Sequence, residues 1–496
     1  MIHDTPLDLL LVNPGGRDKI YQNLGTELTA VEPPLWCRLI AGYARDKGLN
    51  VSILDSEAEN MGAHSAAQEV ARLKPRLVGL VVFGHQPSAS TQQMVSARAV
   101  SQAIKDESIN QQIIMVGGHV SALPERTLEE EPIDFACKGE GPLTIVQLLA
   151  ELEKERPDFE KVESLVWRKG NEICVNPMAT LLTDLDTDLH GNVWDLLPMD
   201  KYRAHNWQCF GKLETRMPYA SIYTTLGCPY KCSFCCINAP FDSNRYRMRS
   251  PEKVVDEIEL LHRKYGVTVF KIIDEMFVLK ERHYMDICKG IIDRGLTGLN
   301  IWAYARVDTV KESTLKVMRD AGIQWLALGI ESGSKHVRDG AEKALKHDDI
   351  VRVVHSIQRA GIRVIGNYIF GLPDDDLDTM QETLDLAMEL NCEFANFYSA
   401  MAYPGSQLYQ QAQTEGWELP TEWSGYSQHS YDCTPLPTEK ITAAQVLAFR
   451  DKAFDTYFAN KRYLDMVTQV FGQETRDHII EMARHSLKRQ LLENGA

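Results

Sequence analysis

The chain alternates between short apolar runs and longer segments in which apolar residues recur with helical spacing. Between residues 220 and 400, six apolar runs rich in Val, Ile, Phe and Trp predict strands, and a helical segment follows each. The predicted strands are Ala220–Thr225, Thr268–Ile273, Leu299–Ala305, Gln324–Ile330, Arg363–Phe370 and Glu393–Ala400. This alternation predicts a parallel sheet that curves into a partial (βα)6 barrel similar to a TIM barrel, with the active site at the carboxyl ends of the strands.

The first 150 residues show the same alternation as a separate unit. The predicted strands are Leu7–Val12, Val51–Asp55, Leu77–Phe83, Ile113–Gly117 and Asp134–Cys137. Helical patterns lie between them, for example over Pro34–Lys47 and Gln92–Lys105. Short parallel strands with intervening helices predict a doubly wound, Rossmann-like sheet, which binds ligands outside the carboxyl ends of its strands.

Two further regions complete the predicted α/β architecture. The pattern of the segment after the first unit predicts a hairpin, Ser164–Trp167 and Glu172–Val175, that turns at residues 169–171. The last region is helical in pattern, with one apolar stripe that we interpret as core packing, formed by Val446, Phe449, Ala453, Tyr457 and Phe458. We therefore divide the chain into a first domain (1–150), a linker (151–213), a barrel (214–415) and a helical C-terminal region (416–496).

The strongest chemical signal is a loop with three cysteines, Cys228, Cys232 and Cys235, after the first predicted barrel strand. A 4Fe–4S cluster normally takes four thiolates, so three cysteines on one short loop predict a cluster with one iron open to a small molecule. A zinc site or reduced structural thiols are the alternatives. No second cysteine or histidine pair follows at the spacing typical of structural zinc. We interpret the neighbouring Cys236 as a free buried thiol.

This loop resembles the cluster motif of the radical S-adenosylmethionine (SAM) superfamily, in which an aromatic residue such as Phe234 precedes the third cysteine. Further blocks at the ends of predicted strands are similar to the successive strand ends of that superfamily and stand in its order. These blocks are Phe270–Phe277, Ala303–Asp308, Gly329–Ser334, Gly366–Pro373 and Tyr403–Ser406. The resemblance therefore covers most of the predicted barrel.

The resemblance implies which residues contact SAM. The matching positions are Phe234 at the adenine, Asp274 and Glu275 at the methionine amine, Glu331 and Ser332 at the ribose and carboxylate, and Arg306 at the methionine carboxylate. Arginine suits the last role because a guanidinium binds a carboxylate bidentately; pairing with Asp308 or Glu331 is the alternative. For the acidic residues and the serine, the alternative is capping of the following helix. No residue is assigned as catalytic.

The carboxyl ends of the first predicted sheet carry glycines and polar residues. The sheet has strand ends such as Val116–His119 and Cys137–Gly141 and precedes a barrel that resembles the radical SAM barrel. In both respects it resembles the cobalamin-binding domain of cobalamin-dependent radical enzymes, where the corrin faces the cluster. The resemblance implies cobalamin contacts at Gly84, His85, Ser88, Gly117, Gly118, Gly139 and Gly141, with His119 as a further candidate. Turn geometry alone equally explains each glycine, and a polar loop position equally explains each histidine.

The ligand on the lower face of cobalt stays open. The DxHxxG motif, through which some cobalamin proteins supply a histidine to cobalt, is absent after the first strand, where residues 13–18 read Asn-Pro-Gly-Gly-Arg-Asp. Many members of the radical family also lack this motif. The cobalamin prediction therefore stands without a predicted cobalt ligand.

Together the resemblances imply a cobalamin-dependent radical SAM methyltransferase with a 4Fe–4S cluster, SAM and cobalamin as cofactors. One SAM would methylate cobalamin, and another would yield the 5′-deoxyadenosyl radical that activates an unactivated substrate carbon. One alternative is cyclisation or rearrangement by the same architecture; the other is a non-catalytic, cobalamin-binding regulatory module. The implied partners are a small, natural-product-like substrate and an external electron donor such as flavodoxin or ferredoxin.

Length and composition indicate the number of domains, the partners and the cellular compartment of the protein. At 496 residues the chain has room for about three domains. Its net charge of −16 and its lack of a basic run make nucleic acid a poor partner. No apolar stretch is long enough to span a membrane, and the N-terminus does not resemble a signal peptide. Because its eleven cysteines suit a reducing compartment, we expect a cytoplasmic protein.

Overall fold

The computed structural model describes residues 6–16, 20–22, 28–84, 89–343 and 345–493, and its first part is one seven-stranded sheet. The strands are β1 (Leu9–Asn13), β2 (Val51–Asp55), β3 (Leu77–Val82), β4 (Ile113–Gly117), β5 (Phe135–Cys137), β6 (Leu165–Lys169) and β7 (Glu172–Val175). They lie in the order 2-1-3-4-5-6-7, and β1 to β5 are parallel. The order reverses between β1 and β3, where doubly wound sheets bind their ligands.

Helices cover both faces of this sheet, which explains why its central strands are continuous apolar runs. All residues of β1, β3 and β4 are buried. The helices are α1 (Leu35–Asp46), α2 (Ala63–Leu73), α3 (Ala89–Glu107), α4 (Gly118–Ala122), α5 (Pro124–Glu130) and α6 (Pro142–Leu152). The predicted hairpin is present as β6 and β7, but it extends this sheet antiparallel at the β5 edge instead of standing apart in the linker. The domain limits at 150, 213 and 415 remain predictions.

The second sheet has six parallel strands in the order 15-14-13-12-11-8 and forms the partial barrel. Its strands are β8 (Tyr219–Ile222), β11 (Val269–Ile272), β12 (Asn300–Arg306), β13 (Ile323–Glu331), β14 (Arg363–Phe370) and β15 (Phe394–Ser399). Strands β9 (Thr225–Leu226) and β10 (Arg247–Met248) form a separate antiparallel pair that brackets the cysteine loop. The predicted first barrel strand is therefore too long, because its last residue pairs with β10 instead.

The helices of the barrel follow their strands in the chain as predicted. They are α7 (Pro251–Tyr265), α8 (Glu281–Asp293), α9 (Glu312–Asp320), α10 (Lys335–Gly340), α11 (His347–Arg359) and α12 (Leu377–Leu390). Beyond β15 lie α13 (Gln407–Glu415), α14 (Ala443–Phe458), α15 (Lys461–Phe471), α16 (Gln473–Met482) and α17 (Gln490–Glu493). The predicted apolar stripe of α14 packs into the core as expected, with Phe449 partly buried and the rest buried. Within the described ranges, no helix combines the length and apolar character that crossing a membrane requires.

A buried cluster of charges joins the first domain to the barrel. Arg38 of α1 donates to Glu257 of α7 at 3.1 Å, and Arg249, just before α7, binds the same carboxylate. The indole N–H of Trp194 donates to that carboxylate at 3.0 Å, and Arg38 stacks over the indole at 3.6 Å. The three charged side chains are each 1% exposed. Burial alone would raise the pKa of Glu257, but the charges of Arg249 and Arg38 outweigh it and lower that pKa.

We predict that Glu257→Gln lowers the free energy of unfolding by about 3–5 kcal/mol, because it leaves two arginines buried without their counter-charge. Urea denaturation of the anaerobically purified protein, followed by circular dichroism, measures the loss. The control is Asp320→Asn, which removes the partner of Lys316 in a surface ion pair of α9 and is expected to change stability little. A Glu257→Gln protein as stable as the control would contradict the prediction.

Candidate active site between the two domains

A cavity of about 830 Å³ opens between the first sheet and the barrel. On the first-domain side it is lined by residues that follow β1 or begin α3, namely Pro14, Gly15, Ala89, Gln92 and Gln93. On the barrel side it is lined by residues at the carboxyl ends of the strands, including Glu275, Arg306 and Glu331. Both domains therefore present their ligand-binding edges to the same space.

Cys228, Cys232 and Cys235 line this cavity on the loop between β9 and β10. The side chain of Asn238 fixes the loop, because it accepts from the Cys228 N–H at 3.2 Å and donates to the Cys228 carbonyl at 3.0 Å. Gly227 has a φ of +84°, and a Cβ there would lie 2.2 Å from a backbone oxygen, so only glycine fits before the first cysteine. Cys228 is buried, and burial raises the pKa of its thiol to about 11. A metal cation bound to such a thiol favours its thiolate form.

The thiols fit an iron–sulfur cluster better than a single ion. Within the described ranges, no three His, Cys, Asp or Glu side chains are placed to share one metal ion. A 4Fe–4S cluster does not need such convergence, because each thiolate binds a different iron. Cys236 is buried as predicted, and burial raises the pKa of its thiol to about 12.

Arg306 stands between the cysteine loop and an aspartate. Its Nε and Nη2 donate to the two carboxylate oxygens of Asp308 at 2.9 and 3.1 Å. Its guanidinium stacks on the ring of Tyr230 at 3.9 Å, and its Nη1 lies 3.7 Å from Cys232 Sγ. Of the two ion-pair alternatives drawn from the sequence, the structure shows the pairing with Asp308.

The two acidic residues after β11 differ in their surroundings. Asp274 is 1% exposed and accepts from the Thr224 N–H at 2.6 Å and from the Thr224 hydroxyl, so it ties the end of β11 to β8 and does not line the cavity. Glu275 lines the cavity, and its buried Oε2 has no hydrogen-bond partner among the described residues. Burial raises the pKa of Glu275 to about 8, and the charge of Asp274 adds to this effect. Glu275 is thus the member of the pair that is available to a ligand.

Glu331 is held in a strained conformation by an ion pair that the sequence did not reveal. Its φ is +66°, which is costly for a residue other than glycine and is typical of functional sites. Its carboxylate binds the ammonium of Lys343, and both side chains line the cavity. A Cβ on Gly329 would lie 2.5 Å from both charged groups, so the glycine makes room for the pair. Lys343 lies in a loop beyond α10, and no motif spacing connects it to the strand end.

The remaining predicted SAM contacts take different positions. Phe234 lines the cavity and packs against a small apolar cluster that includes Ile369. Ser332 is fully buried, and its hydroxyl lies 3.1 Å from the Thr383 hydroxyl and accepts from the Ser334 N–H at 3.1 Å. Its side chain shapes the turn after β13 and does not line the cavity.

The described glycines predicted to contact cobalamin are absent from the cavity wall: Gly84, Gly117, Gly118, Gly139 and Gly141. Close packing explains two of them without a ligand. A Cβ on Gly117 would lie 2.2 Å from the Val82 carbonyl oxygen, and Gly141 has a φ of +101° with Val116 against it. Their contact with cobalamin remains a prediction.

Of the two histidine candidates, the structure describes only His119, which does not line the cavity. His85 and Ser88 lie outside the described residues. His119 is 2% exposed, and its Nδ1 lies 3.2 Å from Thr91 Oγ1. Its ring packs edge-on against Trp423 at 4.4 Å. The structure therefore places His119 inside the protein.

A neighbouring pair on α3 faces the cavity instead. Gln92 and Gln93 line it, and the Gln93 Oε1 is buried without a hydrogen-bond partner among the described residues. A corrin ring carries amide side chains that can donate to such an oxygen, so this wall fits cobalamin. Sequence reasoning missed both residues because they lie inside a helix and not at a strand end.

Comparison with known protein families identifies both domains that line this cavity. The sequence model of the radical SAM superfamily matches residues 222–387, and that of the B12 binding domain matches residues 22–149. The chain belongs to the cobalamin-dependent radical SAM family. Its cofactors are a 4Fe–4S cluster, SAM and cobalamin, and the alternative of a non-catalytic module gives way to a radical SAM enzyme.

Relatives of this radical SAM enzyme differ in the reactions that their names state. An uncharacterized methyltransferase of Pyrococcus horikoshii is 28% identical over 97% of this chain and 98% of its own length. An anaerobic magnesium-protoporphyrin IX monomethyl ester cyclase of Rubrivivax gelatinosus is 24% identical over 90% of this chain and 77% of its own. A solved structure of the radical SAM methyltransferase TsrM from Kitasatospora setae contains bound cobalamin and a 4Fe–4S cluster. It superposes on this chain with a TM-score of 0.70 at 18% identity, over 97% of this chain and 99% of its own length. This superposition shows that the two proteins share a fold.

We predict that Cys232→Ala abolishes cluster assembly, whereas Cys236→Ala leaves it intact. After anaerobic reconstitution, the wild type and Cys236→Ala should hold about four irons per chain with the matching visible absorbance, because only the three loop thiols bind iron. Cys232→Ala should hold little iron. Iron analysis together with electron paramagnetic resonance of the reduced protein checks this, and equal iron in both variants would show that the ligands are assigned wrongly.

Proposed function

We propose that the protein is a cobalamin-dependent radical SAM methyltransferase that methylates an unactivated carbon of a small molecule. The observation that carries this proposal is the single cavity onto which both the cysteine loop and the first-domain strand ends open. A methyl donor and a radical source must both reach one substrate atom, and two cofactors facing one space meet that requirement.

The cavity residues support a division of roles. We assign Cys228, Cys232 and Cys235 to the cluster and Phe234 to the adenine of SAM. Glu275, with its unpartnered carboxylate oxygen, suits the methionine amine. Glu331 and Lys343 suit the ribose and carboxylate end, because together they offer an acceptor and a cation. Arg306 uses two nitrogens on Asp308 and directs the third toward Cys232, which suits a contact with the cluster sulfur.

When bound, the cofactors supply the electron, the deoxyadenosyl radical and the methyl group. The protein's own part is to hold the reacting groups in line and to keep water away from them. Aromatic side chains of the cavity, including Trp302, Tyr304 and Phe394, support the second task. We propose that a flavodoxin or ferredoxin delivers the electron in the cytoplasm, and that nucleic acid is not the substrate.

The second candidate function is a radical cyclisation or rearrangement without methyl transfer. The cyclase of Rubrivivax gelatinosus, which matches 90% of this chain, is the observation that favours it. Both reactions need the same cofactors, so the residues that hold the cofactors do not separate them. The products separate them.

We predict that the anaerobic holoenzyme, with its cobalamin chemically reduced to cob(I)alamin, converts SAM carrying a deuterated methyl group into S-adenosylhomocysteine, with the label transferred to cobalamin, before any substrate is added. A methyltransferase must load cobalamin in this way, whereas a cyclase need not. Mass spectrometry of both products checks the prediction, and protein without cobalamin is the control. Deoxyadenosine without S-adenosylhomocysteine would contradict methyl transfer and favour the cyclase.

We further predict that Lys343→Met weakens SAM binding by about tenfold, because it removes a cation and leaves Glu331 buried without its partner. Calorimetric titration of the reconstituted protein with SAM measures the change. The matched control is Lys335→Met on α10, whose ammonium pairs with Asp339 at the surface. An unchanged dissociation constant in Lys343→Met, with iron content intact, would remove this residue from the SAM site.

A further inference from the structure

The C-terminal helical region contributes one buried cation to the cavity wall. Arg450 of α14 is 7% exposed and lines the cavity. Its Nε donates to the Phe397 carbonyl at 2.8 Å, and its Nη1 donates to Asp451 Oδ1 at 2.7 Å. Neither contact uses Nη2, and a guanidinium has five N–H donors in a fixed plane. Among the described residues, the two donors of Nη2 have no recorded partner and are available to a ligand in the cavity.

The carboxylate beside Arg450 is shared with a second arginine. Arg489 donates to Asp451 through Nε at 3.0 Å and through Nη2 at 3.1 Å. The Nη1 of Arg489 binds the Gln428 and Ser430 carbonyl oxygens at 3.0 and 3.1 Å, which fixes it in place. One carboxylate thus faces two buried guanidinium groups. Asp455, one turn farther along α14, also lines the cavity, and its carboxylate interacts electrostatically with Arg450. Because Asp455 is exposed, solvent weakens that interaction.

Two polar side chains without a charge, His429 and Tyr398, line the cavity near Arg450. His429 lines the same cavity, and its buried Nδ1 has no hydrogen-bond partner among the described residues. Burial, together with the charges of Arg450 and Arg489, lowers the pKa of His429 to about 3, so the imidazole is neutral at physiological pH. The Tyr398 side chain also lines the cavity and lies close enough to Arg450 for the two to interact electrostatically.

We infer that Arg450 anchors an anionic head group of the substrate, a carboxylate or a phosphonate, with His429 and the Tyr398 hydroxyl beside it. The inference rests on the proposed function in one respect, that the substrate occupies this cavity. Guanidinium and oxyanion geometries match, and the interaction is strong where water is excluded. Other parts of the same cavity wall are aromatic, from Trp207, Trp302, Tyr304, Phe394 and Phe454. The substrate class is therefore an acid with an aromatic or extended apolar body.

The experiment compares matched acids and amides, because the substrate itself is unidentified. Holoenzyme with cluster and cobalamin is saturated with S-adenosylhomocysteine and titrated anaerobically in a calorimeter. The probes are indole-3-propionate and 4-phenylbutyrate, each with its primary amide, and phenylphosphonate. The variants are Arg450→Gln, which keeps a donor for the Phe397 carbonyl, and Arg450→Lys, which keeps the charge. Arg462→Gln is the control. Arg462 is exposed on α15, and its guanidinium donates to the backbone carbonyls of Met388 and Glu389 on α12.

We expect the wild type and Arg462→Gln to bind at least one acid about tenfold more tightly than its amide, and Arg450→Gln to bind the two within about twofold. In Arg450→Lys the preference for acid over amide should fall about fivefold, because the lysine ammonium remains paired with Asp451. This variant provides the test if Arg450→Gln does not fold. Selectivity that survives in both variants would overturn the inference. Equal binding of acids and amides by the wild type, or no acid binding below about 10 mM, would also overturn it.

Two other anions, the SAM carboxylate and the cobalamin phosphate, have the same chemistry and are tested separately. Arg450→Gln should bind S-adenosylhomocysteine and retain cobalamin as the wild type does. A tenfold loss of either would show that the guanidinium serves a cofactor and would overturn the substrate assignment. Label transfer to cobalamin does not require substrate, so failure of this site and failure of methyl transfer are distinguishable.

Discussion

The arrangement of the whole molecule depends on the buried contact of Arg38 and Arg249 with Glu257. Arg38 reaches from the first domain into the barrel, where its Nη2 also donates to the Ser221 carbonyl of β8 at 3.0 Å. The three side chains are almost completely shielded from solvent, so each charge needs its partner in one fixed place. The contact therefore fixes how the two sheets face each other, and the shape of the cavity follows from that orientation.

The cavity draws its chemistry from three different parts of the chain. Residues after β1 and at the start of α3, together with the strand ends of the barrel, line the walls where we propose that the cofactors bind. The C-terminal helices close the remaining side and bring Arg450 and Phe454 to the cavity. We therefore propose that the two sheets bind the cofactors and that the helical region selects the substrate.

Local patterns predicted the fold and the cysteine loop well, since apolar runs mark buried strands and the three thiols lie within eight residues. Local patterns do not predict which side chains the tertiary fold brings together from distant parts of the chain. Lys343, Gln93 and Arg450 carry no spacing signal that links them to the strand ends. Asp274 and Ser332 illustrate the opposite difficulty, because an acid or serine after a strand suits both a ligand and a structural contact. Only the structure shows that the Asp274 side chain binds Thr224 and that the Ser332 hydroxyl binds within its own turn.

The most direct test of a shared cavity is a crystal structure of the anaerobic holoenzyme with anomalous data at the iron and cobalt edges. The proposed function predicts iron peaks beside Cys228, Cys232 and Cys235, and a cobalt peak in the same cavity on the side of Gln92 and Gln93. Cobalt bound outside this cavity, or iron held by other cysteines, would contradict the assignment of both cofactors to one reaction space.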